Sequence, residues 1–137
     1  MATVKLMSDA EAEQIPEVKA VFDDIRKTRG TDFINNVWRA LAYDPPGLKR
    51  TWDHLKSVMA VPGALDPKTR EMIYIAVSAA NGCGYCVHSH TAAARAQGMS
   101  EEEHGELVQI IGLAGMTNHL VTSLQVPLDP EFDVKTT

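Results

Sequence analysis

The sequence predicts an all-α fold of five or six helices. Apolar residues recur at helical spacing in segment after segment. Cap residues or prolines stand ahead of those segments, and no run of strands with period-two alternation appears. Ser8 caps a first turn over Asp9, Ala10 and Glu11, and Pro16 restarts the helix. Val18, Val21, Phe22 and Ile25 then form one face, and Gly30 ends the element. Residues Asp32 to Tyr43 read as a shorter helix, stopped by Asp44-Pro45-Pro46. Residues Gly47 to Met59 place Leu48, Trp52, Leu55 and Met59 on a face, and Val61-Pro62-Gly63 breaks the chain.

The clearest start follows: Asp66 as N-cap and Pro67 at the first helical position. That helix runs through Arg70 to Ala80 and closes at Asn81-Gly82. It is apolar almost all round and is therefore expected to be buried. Another begins around Cys83 and runs to Gln97, ending at Gly98. Ser100 and Glu103 make a capping-box pattern for a last helix that reaches Leu124, although Gly112 and Gly115 weaken it. Pro127 to Thr137 reads as an extended tail, long enough to cross onto a neighbouring subunit. Trp38, Trp52 and Phe33 are assigned to the core. No repeat or low-complexity segment appears.

A chain of 137 residues is long enough for one domain and short for two, so residues 1–137 are read as a single domain. It can bury a real core and needs no disulfide or metal staple merely to fold. The net charge of −5 and the scattered Lys and Arg disfavour a nucleic-acid partner and give little attraction to an anionic membrane. The first residues, MATVKLMSDAEAEQ, contain no signal-peptide run, and no stretch approaches the roughly 20 apolar residues of a membrane span. The expected compartment is the cytosol. There, paired cysteines at close spacing are more often catalytic or metal-binding than structural.

The segment NGCGYCVHSH, Asn81 to His90, holds both cysteines of the chain and two of its five histidines. Cys83 and Cys86 fall at a helix start, where unpaired backbone N–H groups stabilise a thiolate. Their spacing turns both sulfurs to one side, close enough for a disulfide. Cys86 and His90 are four apart and share a helical face, so the imidazole can relay protons to and from a thiol. Redox chemistry, a metal site and inert thiols are all readings of this spacing. A structural zinc site wants four ligands, which would require both His88 and His90. Two histidines spaced by two point about 200° apart on a helix, which disfavours zinc. Glu71 reads equally as a solvated acid near a helix N-terminus or as a base reaching toward the cysteine helix. His88 is read as a surface residue, and His54, His104 and His119 as isolated ones.

Arg70-Glu71, Ser78, Asn81, Cys83-x-x-Cys86-x-x-x-His90 and Gly98 together resemble the core motif of the AhpD-like alkylhydroperoxidase branch of the carboxymuconolactone decarboxylase family. The resemblance covers residues 65–98 most closely. It implies that Cys86 attacks peroxide, that Cys83 resolves the sulfenic acid as a disulfide, and that Glu71 and His90 form a proton relay through a water. It also implies an AhpD-like helical fold assembled as a trimer or hexamer, with a hexamer built from dimers expected. No bound organic cofactor is implied. The electron donor would be a dithiol protein, lipoyl-bearing or thioredoxin-like. Some AhpD-type peroxidases carry histidine immediately before the second cysteine, where this chain has Tyr85, so the relay would lack one member. The decarboxylase branch of the family does not use a cysteine pair, and the intact Cys83–Cys86 motif tells against its chemistry.

The expected function is thus a thiol-dependent peroxidase or disulfide reductase. The alternatives are a redox-sensing or binding oligomer without turnover, a carboxymuconolactone decarboxylase-like enzyme, and a structural zinc module.

Overall fold

The structure is a computed structural model and describes residues 2–132. Among them are seven α-helices and one short 3₁₀ turn, with no strand. The all-α expectation holds. The count exceeds five or six because the Ser8-capped turn is a helix of its own, separated by residues 13–15 from the helix that Pro16 begins. The chain packs as two compact units, Met1–Gly63 and Ala64–Thr137.

The first unit holds α1 (Asp9–Ala12), α2 (Pro16–Arg29), α3 (Asn36–Leu41) and α4 (Pro45–Met59). Ser8 and Glu11 form a reciprocal capping box at the start of α1. Gly30 ends α2 at a φ of 65°, a left-handed conformation that glycine adopts without steric cost. The predicted face of Val18, Val21, Phe22 and Ile25 is buried against Leu48 and Trp52 of α4 and Trp38 of α3. The two indoles meet edge to face with centroids 5.4 Å apart, the arrangement their quadrupoles favour. The Trp52 indole N–H donates to Asp24 Oδ2 at 2.6 Å, and Lys56 Nζ lies 2.9 Å from the same carboxylate.

Two helix boundaries differ from expectation. Residues 32–35 are not helical, and α3 begins only at Asn36. The carbonyls of Asp32 and Ile34 accept hydrogen bonds from the Arg26 and Arg39 side chains, at 3.2 Å in each case, instead of joining a helical ladder. Phe33, assigned to the core, is 65% exposed on this non-helical stretch. Asp44-Pro45-Pro46 starts a helix rather than only stopping one. Asp44 accepts the Gly47 N–H, and proline suits the first helical positions because it lacks the N–H that would go unpaired.

The second unit holds α5 (Pro67–Ala80), α6 (Gly84–Ala96) and α7 (Glu101–Leu124). Its caps lie where the sequence predicts them. Asp66 accepts the Thr69 N–H at 3.0 Å, and Ser100 and Glu103 close a capping box. Gly98, at a φ of 87°, turns the chain so that the Met99 N–H reaches the Ala94 carbonyl and the Met99 side chain is buried. The core here is small: Ile75, Ala94, Met99 and Leu107, flanked by Met72, Ala76 and Ile111.

The expected burial of α5 is not found. Only Ile75 and Ser78 of this helix are buried, and Ile73 and Val77 are about half exposed. α7 likewise exposes Val108, Ile110, Leu113, Met116 and Leu120. It corrects a second expectation. Its 24 residues include an 18-residue stretch of mean hydropathy 1.3, which by length and composition alone would suit a membrane span, and 6% of that stretch is buried. A search for unbroken apolar runs overlooks it because Gly112, Gly115, Thr117, Asn118 and His119 interrupt the run without charging it. Of the predicted tail, Pro130–Phe132 forms the 3₁₀ turn, and the part beyond residue 132 lies outside the described residues.

The Asp24 contact carries a pH signature. The Trp52 N–H first, and the Lys56 ammonium next, hold the Asp24 carboxyl below its usual range. A carboxylate with a depressed folded-state pKa contributes stability that is full above its ordinary value of 3.8 and is lost as pH falls through the depressed one. Asp24→Asn should therefore lower the urea midpoint at about pH 6, with the deficit shrinking toward about pH 2. A deficit of equal size at both ends would show that the carboxylate charge contributes nothing.

Candidate active site

The site is built on α5, α6 and the turn between them. Asn81 caps the C-terminus of α5, and Gly82 turns the chain at a φ of 70°. The Cys83 N–H then donates back to the carbonyl of Ser78 at 2.9 Å. The same residue opens α6: its carbonyl accepts the Val87 N–H at 3.0 Å, and its sulfur accepts the Cys86 N–H at 3.3 Å. Cys83 is thus the N-cap of α6, with Cys86 in the first turn, as the spacing predicts. The two sulfurs are joined as a disulfide, with Cα atoms 5.3 Å apart. Both cysteines are partly buried, and the Ser89 hydroxyl donates to the Cys86 carbonyl at 3.2 Å.

One turn further along α6, His90 faces α5. Its Nδ1 lies 2.6 Å from Glu71 Oε2, and the two side chains are only 17% and 16% exposed. Glu71 is therefore not a solvated acid near a helix end. The carboxylate and imidazole touch directly, so no water is needed to join them. The face of the His90 ring is covered by Tyr74, with centroids 3.6 Å apart and planes 18° from parallel.

All four predicted residues lie in this unit, as two bonded pairs. Cys83–Cys86 and Glu71–His90 are linked through α6, where Cys86 and His90 lie one turn apart on a shared face. A carboxylate fixed on one ring nitrogen orients the imidazole and leaves Nε2 for proton exchange. Tyr74 was not singled out by sequence. Its spacing of three from Glu71, which places both on one face of α5, was the available signal. Tyr85 is 47% exposed and belongs to neither buried cluster. His88 and His119 are exposed and His104 is partly buried. Among the described residues, no three His, Cys, Asp or Glu side chains are grouped so as to hold a metal ion.

Comparison with known proteins gives a consistent picture. The model of the carboxymuconolactone decarboxylase family matches residues 45–128, which include the whole site. A crystal structure of the alkylhydroperoxidase AhpD core from Rhodospirillum rubrum is 64% identical and superposes with a TM-score of 0.96, covering 98% of this chain and 99% of that one. An alkyl hydroperoxide reductase AhpD from Solibacter usitatus is 42% identical over 65 residues, 47% of this chain and 35% of its own length. An uncharacterised protein of the cox locus of Paracoccus denitrificans is 32% identical over 56 residues, 41% of this chain and 50% of its own length. The alignments thus span about a third and a half of these two curated relatives.

The Glu71–His90 contact sets a stability test. Glu71→Ala leaves a mostly buried imidazole without its partner, which should cost about 1–3 kcal/mol. A solvated acid near a helix end would cost only a few tenths. Urea unfolding at one fixed protein concentration distinguishes the two, and a change below about 0.5 kcal/mol would contradict the contact.

Proposed function

Since the chain belongs to the carboxymuconolactone decarboxylase family, we propose that it is an AhpD-type thiol peroxidase that reduces hydroperoxides. The carrying observation is the Cys83–Cys86 disulfide at the start of the helix that also bears His90, itself bonded to Glu71. That is the oxidised state such a cycle would leave behind. The likeness to AhpD proteins supports the same reading.

In the reduced protein, the Cys86 thiolate attacks the terminal oxygen of the hydroperoxide. An S–O bond forms, the O–O bond breaks, and the departing alkoxide takes a proton to leave as an alcohol. The Cys83 thiolate then attacks the Cys86 sulfenic sulfur. The disulfide forms, the S–O bond breaks, and hydroxide leaves as water. His90, oriented by Glu71, takes the thiol proton and returns protons to the leaving oxygens. A dithiol donor, lipoyl-bearing or thioredoxin-like, restores both thiols by exchange and is itself oxidised to a disulfide. The reading puts this cycle in the cytosol, where such donors are kept reduced.

We further propose that the exposed apolar faces of α5 and α7 are covered by other copies of the chain, as a trimer or hexamer. Exposed apolar surface this extensive on a small protein marks an interaction face. Asn118 and His119 lie well inside α7, where a lipid environment would make them costly. This favours protein over membrane as the covering.

Cys86→Ser should abolish peroxide reduction, whereas Cys83→Ser should permit one oxidation that stalls at a Cys86 sulfenic acid. Trapping with a sulfenate-specific reagent and mass mapping reads both. Sulfenate forming on Cys83 of Cys86→Ser at the wild-type rate would reverse the roles. Sedimentation at micromolar concentration should show an assembly several times the 15.0 kDa chain. A species of chain mass alone, or flotation with lipid vesicles in place of self-association, would remove the proposed interface.

A further inference from the structure

We infer that Tyr74 is the positioning residue that fixes the plane of the His90 ring. The inference rests on the peroxidase reading in naming the reaction it serves, but its geometry stands apart from that reading. One hydrogen bond from Glu71 locates His90 Nδ1 without fixing the ring, which can still swing about the Nδ1···Oε2 line. Rotation about χ2 of histidine is also soft, with broad wells. The Tyr74 ring removes that freedom. It lies 3.6 Å from the imidazole and within 18° of parallel to it, so a swing would drive one ring into the other. Glu71 and Tyr74 stand three apart on α5, and one helix face thus supplies both the bond that anchors the imidazole and the surface that sets its plane. With both in place, Nε2 has one direction.

The arrangement also shields the pair. With Tyr74 over the ring and both partners less than one-fifth exposed, the Glu71–His90 bond is screened little by water. The phenol takes no part in the proton transfer. What matters is the flat ring, so phenylalanine should substitute for tyrosine and an aliphatic side chain should not. Tyr74 is itself at the surface, 36% exposed. A change there leaves no closed cavity, and leucine and methionine are good helix formers.

The test compares Tyr74→Phe, Tyr74→Leu and Tyr74→Met with the wild type. Single-turnover oxidation of Cys86 by a hydroperoxide should proceed in Tyr74→Phe at the wild-type rate. It should slow by about 10–100-fold in the two aliphatic variants, the scale of a misplaced catalytic group. The His90 ring protons should show the NOE pattern of a single χ2 well in Tyr74→Phe and an averaged pattern in Tyr74→Leu, with the tautomer that Glu71 sets at Nδ1 unchanged in both. Urea midpoints should change little throughout. Wild-type rates in Tyr74→Leu and Tyr74→Met, or a Tyr74→Phe rate as low as theirs, would overturn the inference. So would a His90 NOE pattern that stays that of one χ2 well in the aliphatic variants. A wild-type protein inert to hydroperoxide would defeat the peroxidase reading alone, and the His90 spectra would still decide whether Tyr74 sets the ring.

Discussion

The turn at Gly82-Cys83 is the constraint on which the site depends. In two residues it ends α5 and begins α6, and Cys83 bonds to both helices through its backbone. The placement of α6 against α5 follows from it, and with that the meeting of His90 with Glu71. Gly82 makes the turn possible because its φ of 70° would strain any residue with a side chain. The cysteine pair and the Glu71–His90 pair are set in register by one backbone turn rather than by separate loops.

The two units differ in how they meet the demand for burial. The first closes a cluster of eleven buried residues around two tryptophans. The second, which carries the site, closes an apolar cluster of only four among the described residues and leaves long apolar stretches of α5 and α7 in the open. Apolar composition measures how much surface tends to leave water, not which surface it leaves against. That is why reading α5 as a buried helix failed for the single chain.

Local chemistry was legible in the sequence. Ser8 with Glu11, Asp66 with Pro67, and Ser100 with Glu103 mark helix starts through contacts made within one turn, and each lies where the sequence put it. The cysteine pair at the head of α6 was legible for the same reason. What escaped depends on partners distant in sequence. Residues 32–35 read as the start of the next helix, yet arginines of α2 and α3 bond the carbonyls of Asp32 and Ile34. The Glu71–His90 bond crosses between helices, so residue spacing left Glu71 undecided between two roles until the packing brought it to the imidazole. Tyr74 was absorbed into an apolar face because periodicity cannot tell a ring that packs from a ring that aligns its neighbour.

The disulfide spans a sequence separation of three. The entropy that a cross-link removes from an unfolded chain grows with the loop it closes, so this one constrains very little. The bonds that shape the turn, from the Cys83 N–H to Ser78 and from the Val87 N–H to Cys83, run through the backbone and involve no sulfur. Oxidation is thereby decoupled from architecture. On the proposed peroxidase reading, the helix head would be a two-electron reservoir whose filling and emptying leave the scaffold almost indifferent.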